Sequence, residues 1–366
     1  MEEGTLVAWH VAEGAEVAAG EQILEIETAK IANAVEATHA GILRRRLAMA
    51  GQSYPCGALL GVIADANVPD EQIAAFVAER AQAKRQVGAQ SNTPVPQMLA
   101  VRGRQIRFLH QGAGGGLPVL LIHGFAGDLN NWLFVQPSLS EKRSTYAVDL
   151  PGHGGSSKDL NDINSLNDVA ELLVAFLDQL GIEKVHLVAH SLGGAVALAL
   201  ARKYDKRVAS LVLLSPAGLG ISPVPEFIEG LIAARSRRDM TSVLKMLLAH
   251  EGQVSRDMVN DMLKFKRLDG AEPALRKFAG FLREENRSAA QALQDISAPV
   301  HVIWGAHDRV VPRGTNELPN GIRLSVLEGV GHMPHIERNS QVVELIETTL
   351  VQGPDAAGRQ EGAPAA

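Results

Sequence analysis

The sequence predicts two folds in one chain: a small all-β unit at the N-terminus and, beyond a connector, a mainly parallel sheet covered by helices on both faces. Three observations carry this expectation. Residues 4 to 26 and 41 to 63 repeat one another at an offset of 37 residues, with glycines and apolar positions recurring in the same order. From residue 98 onward, short apolar runs alternate with stretches of helical period, the pattern of a β-α alternating sheet. Within VHLVAHSLGGAVALALA, residues 185 to 201, a continuous apolar run gives way to a small-residue helix at a single serine, Ser191.

Composition sets outer bounds. A chain of 366 residues with 46% hydrophobic and 21% charged residues is ordinary for a globular protein and long enough for two domains. A formal net charge of −6 without a sustained basic block excludes a primarily nucleic-acid-binding role, and the run Arg44-Arg45-Arg46 reads as a solvated strand face. No segment reaches the ~18 uninterrupted apolar residues of a membrane span. The opening Met-Glu-Glu-Gly has neither a basic nor an apolar targeting region, so a cytoplasmic protein is expected. The single cysteine, Cys56, has no partner for a disulfide and no CxxC or histidine-rich setting for a metal; it reads as a buried small hydrophobe.

In the first unit, Gly4 matches Gly41, Gly14 matches Gly51, Gly20 matches Gly57 and Ile26 matches Ile63. Strands such as Thr5 to Val11 and Ile23 to Thr28 recur in halves too small to bury a core alone, which implies a flattened barrel over residues 1–65. The strands Ile23 to Thr28 and Ile31 to Ala37 flank Ala29-Lys30, the tip of a tight hairpin with its amine held out in solvent and open to modification. The motif EIETAK and its flanking glycines resemble the lipoylation hairpin of the lipoyl (biotinyl-type) domain family, and the resemblance implies covalent lipoate on Lys30. Two departures bear on it: Ala29 stands where that family has an acidic residue, and Ala29 and Ile31 stand where biotinyl domains have methionine, which favours lipoate over biotin. The strand before the second repeat has no counterpart before the first, so the barrel is expected to lack its first strand and the native start to lie upstream.

Residues 66–97 follow as a short helix and a flexible linker. DEQIAAFVAERAQAKRQ carries one narrow apolar stripe, Ile73, Phe76 and Val77. Val87 to Gln97 is rich in Gly, Ser, Asn and Pro and spans ~20 Å on average, or ~40 Å fully extended. The second unit covers residues 98–352. Leu99 to His110, broken at Gly103, reads as an opening hairpin. Pro118 to Ile122, Ser144 to Asp149, Val185 to Ala189, Val208 to Leu214, Val300 to Trp304 and Leu324 to Leu327 read as the later strands. Leu166 to Leu180 is the clearest helix, with Ser165 and Asp168 as a capping pair and Gly181 as its stop. Residues 216–297 interrupt the alternation as an inserted helical cap, and residues 353–366 read as a disordered tail.

Chemistry concentrates at the switch of period. Ala189-His190-Ser191-Leu192-Gly193 is a nucleophile elbow with Ala at the first small position, and the helix behind it offers free N–H groups to a developing oxyanion. HGFAG at residues 123 to 127 ends an early strand, so that the Phe125 N–H joins the Leu192 N–H as an oxyanion hole. VIWGAHDRVVP puts Asp308 just past a late strand, and EGVGHMPHIE puts His332 on a glycine loop. A serine hydroxyl attacks only when an imidazole takes its proton and a carboxylate fixes the imidazole tautomer, and the chain order Ser191, Asp308, His332 suits that arrangement. Of the competitors, His335 is read as opening the last helix, His190 as pointing away from its neighbour, His123 as shaping its loop, and Asp149 as part of a structural turn.

With HGFAG, DLPGHGGS, AHSLGG, GAHDRVVP and GHMPH in register, this half resembles the α/β-hydrolase superfamily. In the cap, Met240, Met246, Met258 and Met262 read as core filling before pocket lining. Arg235, Arg237, Arg238, Lys264, Lys266 and Arg267 read as a solvated face before a hold on the phosphates of a nucleotide thiol. The two halves together resemble the dihydrolipoamide acetyltransferase subunits of bacterial acetoin dehydrogenase complexes. That resemblance implies acetyl transfer from a lipoyl arm through Ser191 to coenzyme A, without a metal. It also implies a thiamin diphosphate-dependent acetoin-cleaving component and dihydrolipoamide dehydrogenase as partners, and a homo-oligomeric core. From the residues alone, a tethered serine esterase or thioesterase and a lipoyl carrier with a scaffold hydrolase domain stay open. The HxxxDG motif of 2-oxo acid dehydrogenase acyltransferases is not met, since Phe265 stands where Asp269-Gly270 would need a histidine, and the linker shows no peripheral subunit-binding domain.

Overall fold

The computed structural model describes residues 3–28, 32–37, 39–55, 58–86, 94–285, 287–313 and 318–352, in two compact units that meet in sequence at Pro94 and Val95. Lys30, Ala29, Ile31, Cys56, most of the expected linker and the expected tail lie outside the described residues.

The first unit holds β1 (Glu3–Trp9), β2 (Glu16–Val17), β3 (Gln22–Thr28), β4 (Ala32–Glu36), β5 (Gly41–Arg46), β6 (Ser53–Pro55) and β7 (Gly61–Ala64). They form two sheets, β4-β3-β1-β6 and β2-β5-β7. The repeat seen in the sequence becomes a pseudo-twofold exchange of hydrogen bonds. Gly14, at φ 89°, donates to the Leu43 carbonyl at 2.7 Å, and Gly51, at φ 81°, donates to the Leu6 carbonyl at 2.7 Å. In return Leu43 donates to Ala15 and Leu6 to Gln52, both at 3.0 Å. Positive φ at those turns is what glycine supplies without strain. The same two leucines, each 1% exposed, meet in the core with Val17 and Leu24, so neither half has an interior without the other. Among the described residues nothing pairs with β7 as β4 pairs with β3. The β3–β4 ladder is antiparallel and runs to Glu27 opposite Ala32.

Arg44 departs from the solvated face expected of the arginine run. Arg44 donates to the carbonyls of Asp65 and Val68 at 3.1 and 2.9 Å and to the Asp70 carboxylate at 2.6 Å. It thereby ties the first turn of α1 (Asp70–Gln86) to the barrel. Ile73 of that helix is 2% exposed. Beside Arg44 and Arg45, the Asp70 carboxyl is held below the usual carboxylate range. Arg46 lies over the Trp9 ring.

The second unit opens with the hairpin β8 (Gln97–Val101) and β9 (Arg104–Gln111), followed by β10 (Val119–Ile122), a short helix α2 (Gln136–Ser140) and β11 (Thr145–Val148). Next come α3 (Leu166–Gln179), β12 (Val185–His190), α4 (Leu192–Lys203) and β13 (Val208–Leu214). The described residues of the inserted segment hold the α-helices α5 (Pro225–Ala233), α6 (Arg237–Leu244), α7 (Arg256–Lys266), α8 (Ala271–Glu284) and α9 (Ala289–Leu293). The chain then runs through β14 (Val300–Gly305), β15 (Arg323–Leu327), α10 (Pro334–Glu337) and α11 (Asn339–Gln352). His335 therefore does not open the last helix; it lies in the separate short helix α10. The expected α3 is found with Ser165 as its N-cap, accepting from the Asp168 N–H at 3.3 Å.

The strands make one sheet in the order β15-β14-β13-β12-β10-β11-β9-β8. From β11 to β15 the pairs are parallel, and β8 and β9 join antiparallel at one edge. The central strands β10, β12 and β13 are buried along their whole length, as the continuous apolar runs predict for strands covered on both faces. Chain order reverses between β10 and β12, and Ser191 follows the carboxyl end of β12, the kind of position where open α/β sheets bind ligands. No helix among the described residues is long and apolar enough to cross a membrane.

Candidate active site

Ser191 stands at φ 53° and ψ −118°, between the last residue of β12 and the first turn of α4. A non-glycine residue at positive φ is strained, and strain of about 1–3 kcal/mol persists only where neighbours fix it. Here they do: the Ser191 N–H donates to the Leu214 carbonyl at 3.1 Å, and the Ser191 carbonyl accepts from Gly194 and Ala217 at 2.8 and 3.0 Å. The small residues have physical reasons. A Cβ on Gly193 would run into the carbonyls of Ile122 and His123, and one on Gly194 would lie 2.7 Å from the Pro216 Cβ. A Cβ on Gly124 would lie 3.0 Å from the Ser191 Cβ, which places the HGFAG loop directly against the serine.

Asp308 and His332 come together across two loops. The His332 Nδ1 and the Asp308 Oδ2 are 2.8 Å apart, with both side chains 1% exposed. The other oxygen of Asp308 accepts from the N–H groups of Val310 and Val311 at 2.9 and 2.8 Å. An ionised carboxylate only accepts, so Nδ1 carries the proton and Nε2 keeps a lone pair, the tautomer a general base needs. The His332 backbone is held as well: its N–H donates to the Leu247 carbonyl at 2.8 Å.

His190, next to Ser191, is joined to the base histidine's backbone. Its Nε2–H donates to the His332 carbonyl at 2.8 Å across 142 residues of sequence, and the two rings lie 4.7 Å apart. The His335 ring packs against His190 at 4.6 Å and against Trp132 at 4.9 Å. His123 shapes its loop as expected, donating from Nδ1 to the Gly124 carbonyl and accepting at Nε2 from the Leu150 N–H. Asp149 is structural too, accepting from the N–H groups of Leu129 and Gly155 at 2.6 Å and pairing with Arg107. The backbone N–H groups of Phe125 and Leu192 have no partner among the described residues. Two unused donors beside a strained serine are what an oxyanion hole requires.

Two family models match the chain: the alpha/beta hydrolase fold over residues 118–339 and a biotin-requiring enzyme model over residues 1–63. A dihydrolipoyllysine-residue acetyltransferase component of the acetoin cleaving system from Cupriavidus necator is 41% identical over 354 residues, covering 96% of this chain and 94% of that one. Its Pseudomonas putida counterpart is 40% identical, covering 93% of each. The chain belongs to that family. The chain also shares its fold with a solved bacterial membrane phospholipase A, at a TM-score of 0.64 and 24% identity over 78% of this chain and 92% of that one.

Of the cap cations, one is buried and two more are paired. Lys266 is 9% exposed and donates to the carbonyls of Leu231, Ile232 and Ala234, closing the C-terminal end of α5. Arg235 pairs with Glu272 and Lys264 with Asp261, whereas Arg237, Arg238 and Arg267 are exposed. Met240 fills the core, fully buried. Glu337 does not stand out in the sequence, although it ends the GHMPHIE motif; its carboxylate accepts from Gly331, Met333 and Ala249.

Burial also sets a pH dependence. It pushes His153 and His335 down to about 3, His301 down to about 4, and His190 well below the usual histidine range, with His335 and His332 adding to the last. The unfolded chain therefore binds more protons than the folded one below about pH 6.5, and each such histidine removes up to about 1.4 kcal/mol of stability per pH unit of acidification. Asp149 acts in the opposite sense and offsets one histidine: burial, then the Asp128 charge, push it up to about 6. The urea midpoint of the second unit is expected to fall between about pH 7.5 and pH 5; a flat or rising midpoint would contradict this sum.

Proposed function

We propose that Ser191, His332 and Asp308 form the acyl-transfer site of this acetyltransferase component, with Phe125 and Leu192 as its oxyanion hole, and that Lys30 is the lipoylated residue. The observation that carries this is the buried His332–Asp308 pair, tied through His190 to the chain neighbour of a strained serine with two unused N–H donors. Lys30 follows β3 and precedes β4 in sequence, and these two strands pair antiparallel up to Glu27 opposite Ala32. Lipoate joined to Lys30 by an amide bond would supply a disulfide that, once reduced to the dithiol, carries acyl groups as thioesters.

The chemistry of the chain's own residues then follows. Ser191 Oγ attacks the carbonyl of an acetyl thioester while His332 Nε2 takes the hydroxyl proton, and the negative oxygen forms within reach of the Phe125 and Leu192 N–H groups. Collapse expels the thiolate, which takes the proton back from His332, and leaves acetyl-Ser191. Coenzyme A is the acceptor: its thiol gives a proton to His332, attacks the acyl-serine, and Ser191 is released with the proton returned. Covalent linkage of the two units raises the donor to an effective concentration in the mM range. The cited relatives are components of an acetoin cleaving system. The proposal therefore extends to a thiamin diphosphate-dependent acetoin-cleaving enzyme as the source of the acetyl group. Dihydrolipoamide dehydrogenase would reoxidise the arm, and a homo-oligomeric core would present it.

The test is to supply S-acetyldihydrolipoamide with and without coenzyme A and to measure both products. Acetyl-CoA is expected to form in preference to acetate whenever coenzyme A is present. Acetate as the main product despite saturating coenzyme A would replace this reading with a tethered thioesterase, the reading that the shared lipase-like fold favours.

A further inference from the structure

Two backbone segments meet at His332. The His332 N–H donates to the Leu247 carbonyl at 2.8 Å, and Gly331 passes so near the cap that a Cβ there would lie 2.6 Å from the Ala249 nitrogen. Residues 247–249 and 331–333 thus run side by side, with Glu337 at the junction. Glu337 is 7% exposed. One carboxylate oxygen accepts from the N–H groups before and after the histidine, Gly331 at 2.9 Å and Met333 at 3.4 Å. The other accepts from the Ala249 N–H at 2.8 Å. The geometry closes on itself, because the Glu337 N–H donates to the Met333 carbonyl at 2.9 Å.

We propose that Glu337 is a positioning residue for the general base: it grips the chain on both sides of His332 and fastens that loop to the cap at Ala249. The proposal rests on the triad reading above. It assigns Glu337 no contact with substrate. Its role follows from the freedom that would otherwise remain, since a histidine between Gly331 and Met333 on an irregular loop has no helix or strand to fix it. The Asp308 contact orients the ring, the His190 contact holds the carbonyl, and Glu337 holds the two flanking peptide groups. Cap position and base position are thereby mechanically joined, through Leu247 and Ala249 on one side and residues 331–333 on the other.

The test uses the full lipoylated chain and acetyl transfer from S-acetyldihydrolipoamide to coenzyme A, comparing Glu337→Ala, Glu337→Gln and His332→Ala. A general base displaced by about 1 Å loses roughly 10²-fold in rate, so Glu337→Ala is expected to lose about that much kcat with KM unchanged. In the same variant the far-downfield proton resonance of the His332 Nδ1–H should broaden or vanish. Glu337→Gln keeps an oxygen for Gly331 and Met333 but turns its amide toward the Ala249 N–H, and is expected to fall between wild type and Glu337→Ala. Should Glu337→Ala fail to fold, Glu337→Gln carries the test. If His332→Ala is inactive while the folded Glu337 variants keep kcat within twofold of wild type and the resonance intact, the positioning role is overturned and the triad stands. If His332→Ala keeps its activity, both are overturned.

Discussion

Replacing Ser191 by alanine is expected to lower acetyl transfer roughly 10⁴- to 10⁶-fold while the chain still folds. The size follows from the division of labour in the site. Without the hydroxyl no acyl-enzyme forms, and His332 has no proton to take, so nucleophile and base are lost together. What would survive is the proposed oxyanion hole of the Phe125 and Leu192 N–H groups, which would polarise a bound carbonyl and leave a residual rate above that in water. Folding should be spared because the hydrogen bonds that hold the elbow are backbone ones, to Leu214, Gly194 and Ala217, and alanine meets the same φ of 53° with no bulkier Cβ. The measurement is acetyl-CoA formation by wild type and S191A at equal lipoylation, with urea midpoints compared. A folded variant within tenfold of wild type would remove the serine from the chemistry and leave the second unit as a scaffold.

Asp308→Asn should cost about 10⁴-fold in kcat, with little change in structure. The substituted amide would retain the oxygen that accepts from Val310 and Val311, so its NH₂ group must face the His332 Nδ1. A donor there forces the imidazole proton onto Nε2, and a protonated Nε2 cannot take the serine proton. The loss should therefore appear in kcat rather than KM and should be relieved as rising pH supplies hydroxide in place of the base. Equal activity in D308N and wild type at neutral pH would mean that the tautomer is fixed by something other than Asp308.

The parts of this site legible in the sequence are those written in neighbouring residues. The elbow combines an apolar strand, a serine and two glycines within a few positions, and each constraint acts locally, through a strained φ or a Cβ with no room. The late strand before Asp308 and the glycine loop around His332 are legible for the same reason. What stays hidden depends on partners far away along the chain. The His190 donation to His332 spans 142 residues, Glu337 reaches back to Ala249 across 88, and Lys266 closes a helix 32 to 35 residues earlier. A charged residue that reads as surface in a local window, such as Lys266 or Arg44, becomes structural once carbonyls from elsewhere surround it. Arg44 shows this in the first unit, where the carbonyls of Asp65 and Val68 take up a guanidinium that the pattern of β5 assigns to solvent.

The exchanged hydrogen bonds of the first unit make its two halves one cooperative object. Gly14 is bound to Leu43 and Gly51 to Leu6, so opening either half strands donors and acceptors of the other, at roughly 1–3 kcal/mol for each group left buried and unpaired. Partial melting is thereby suppressed, and the unit should lose its protection against amide exchange all at once rather than strand by strand. The paired strands β3 and β4 are consequently expected to hold together up to the point of global unfolding, and a nick in either half forfeits both.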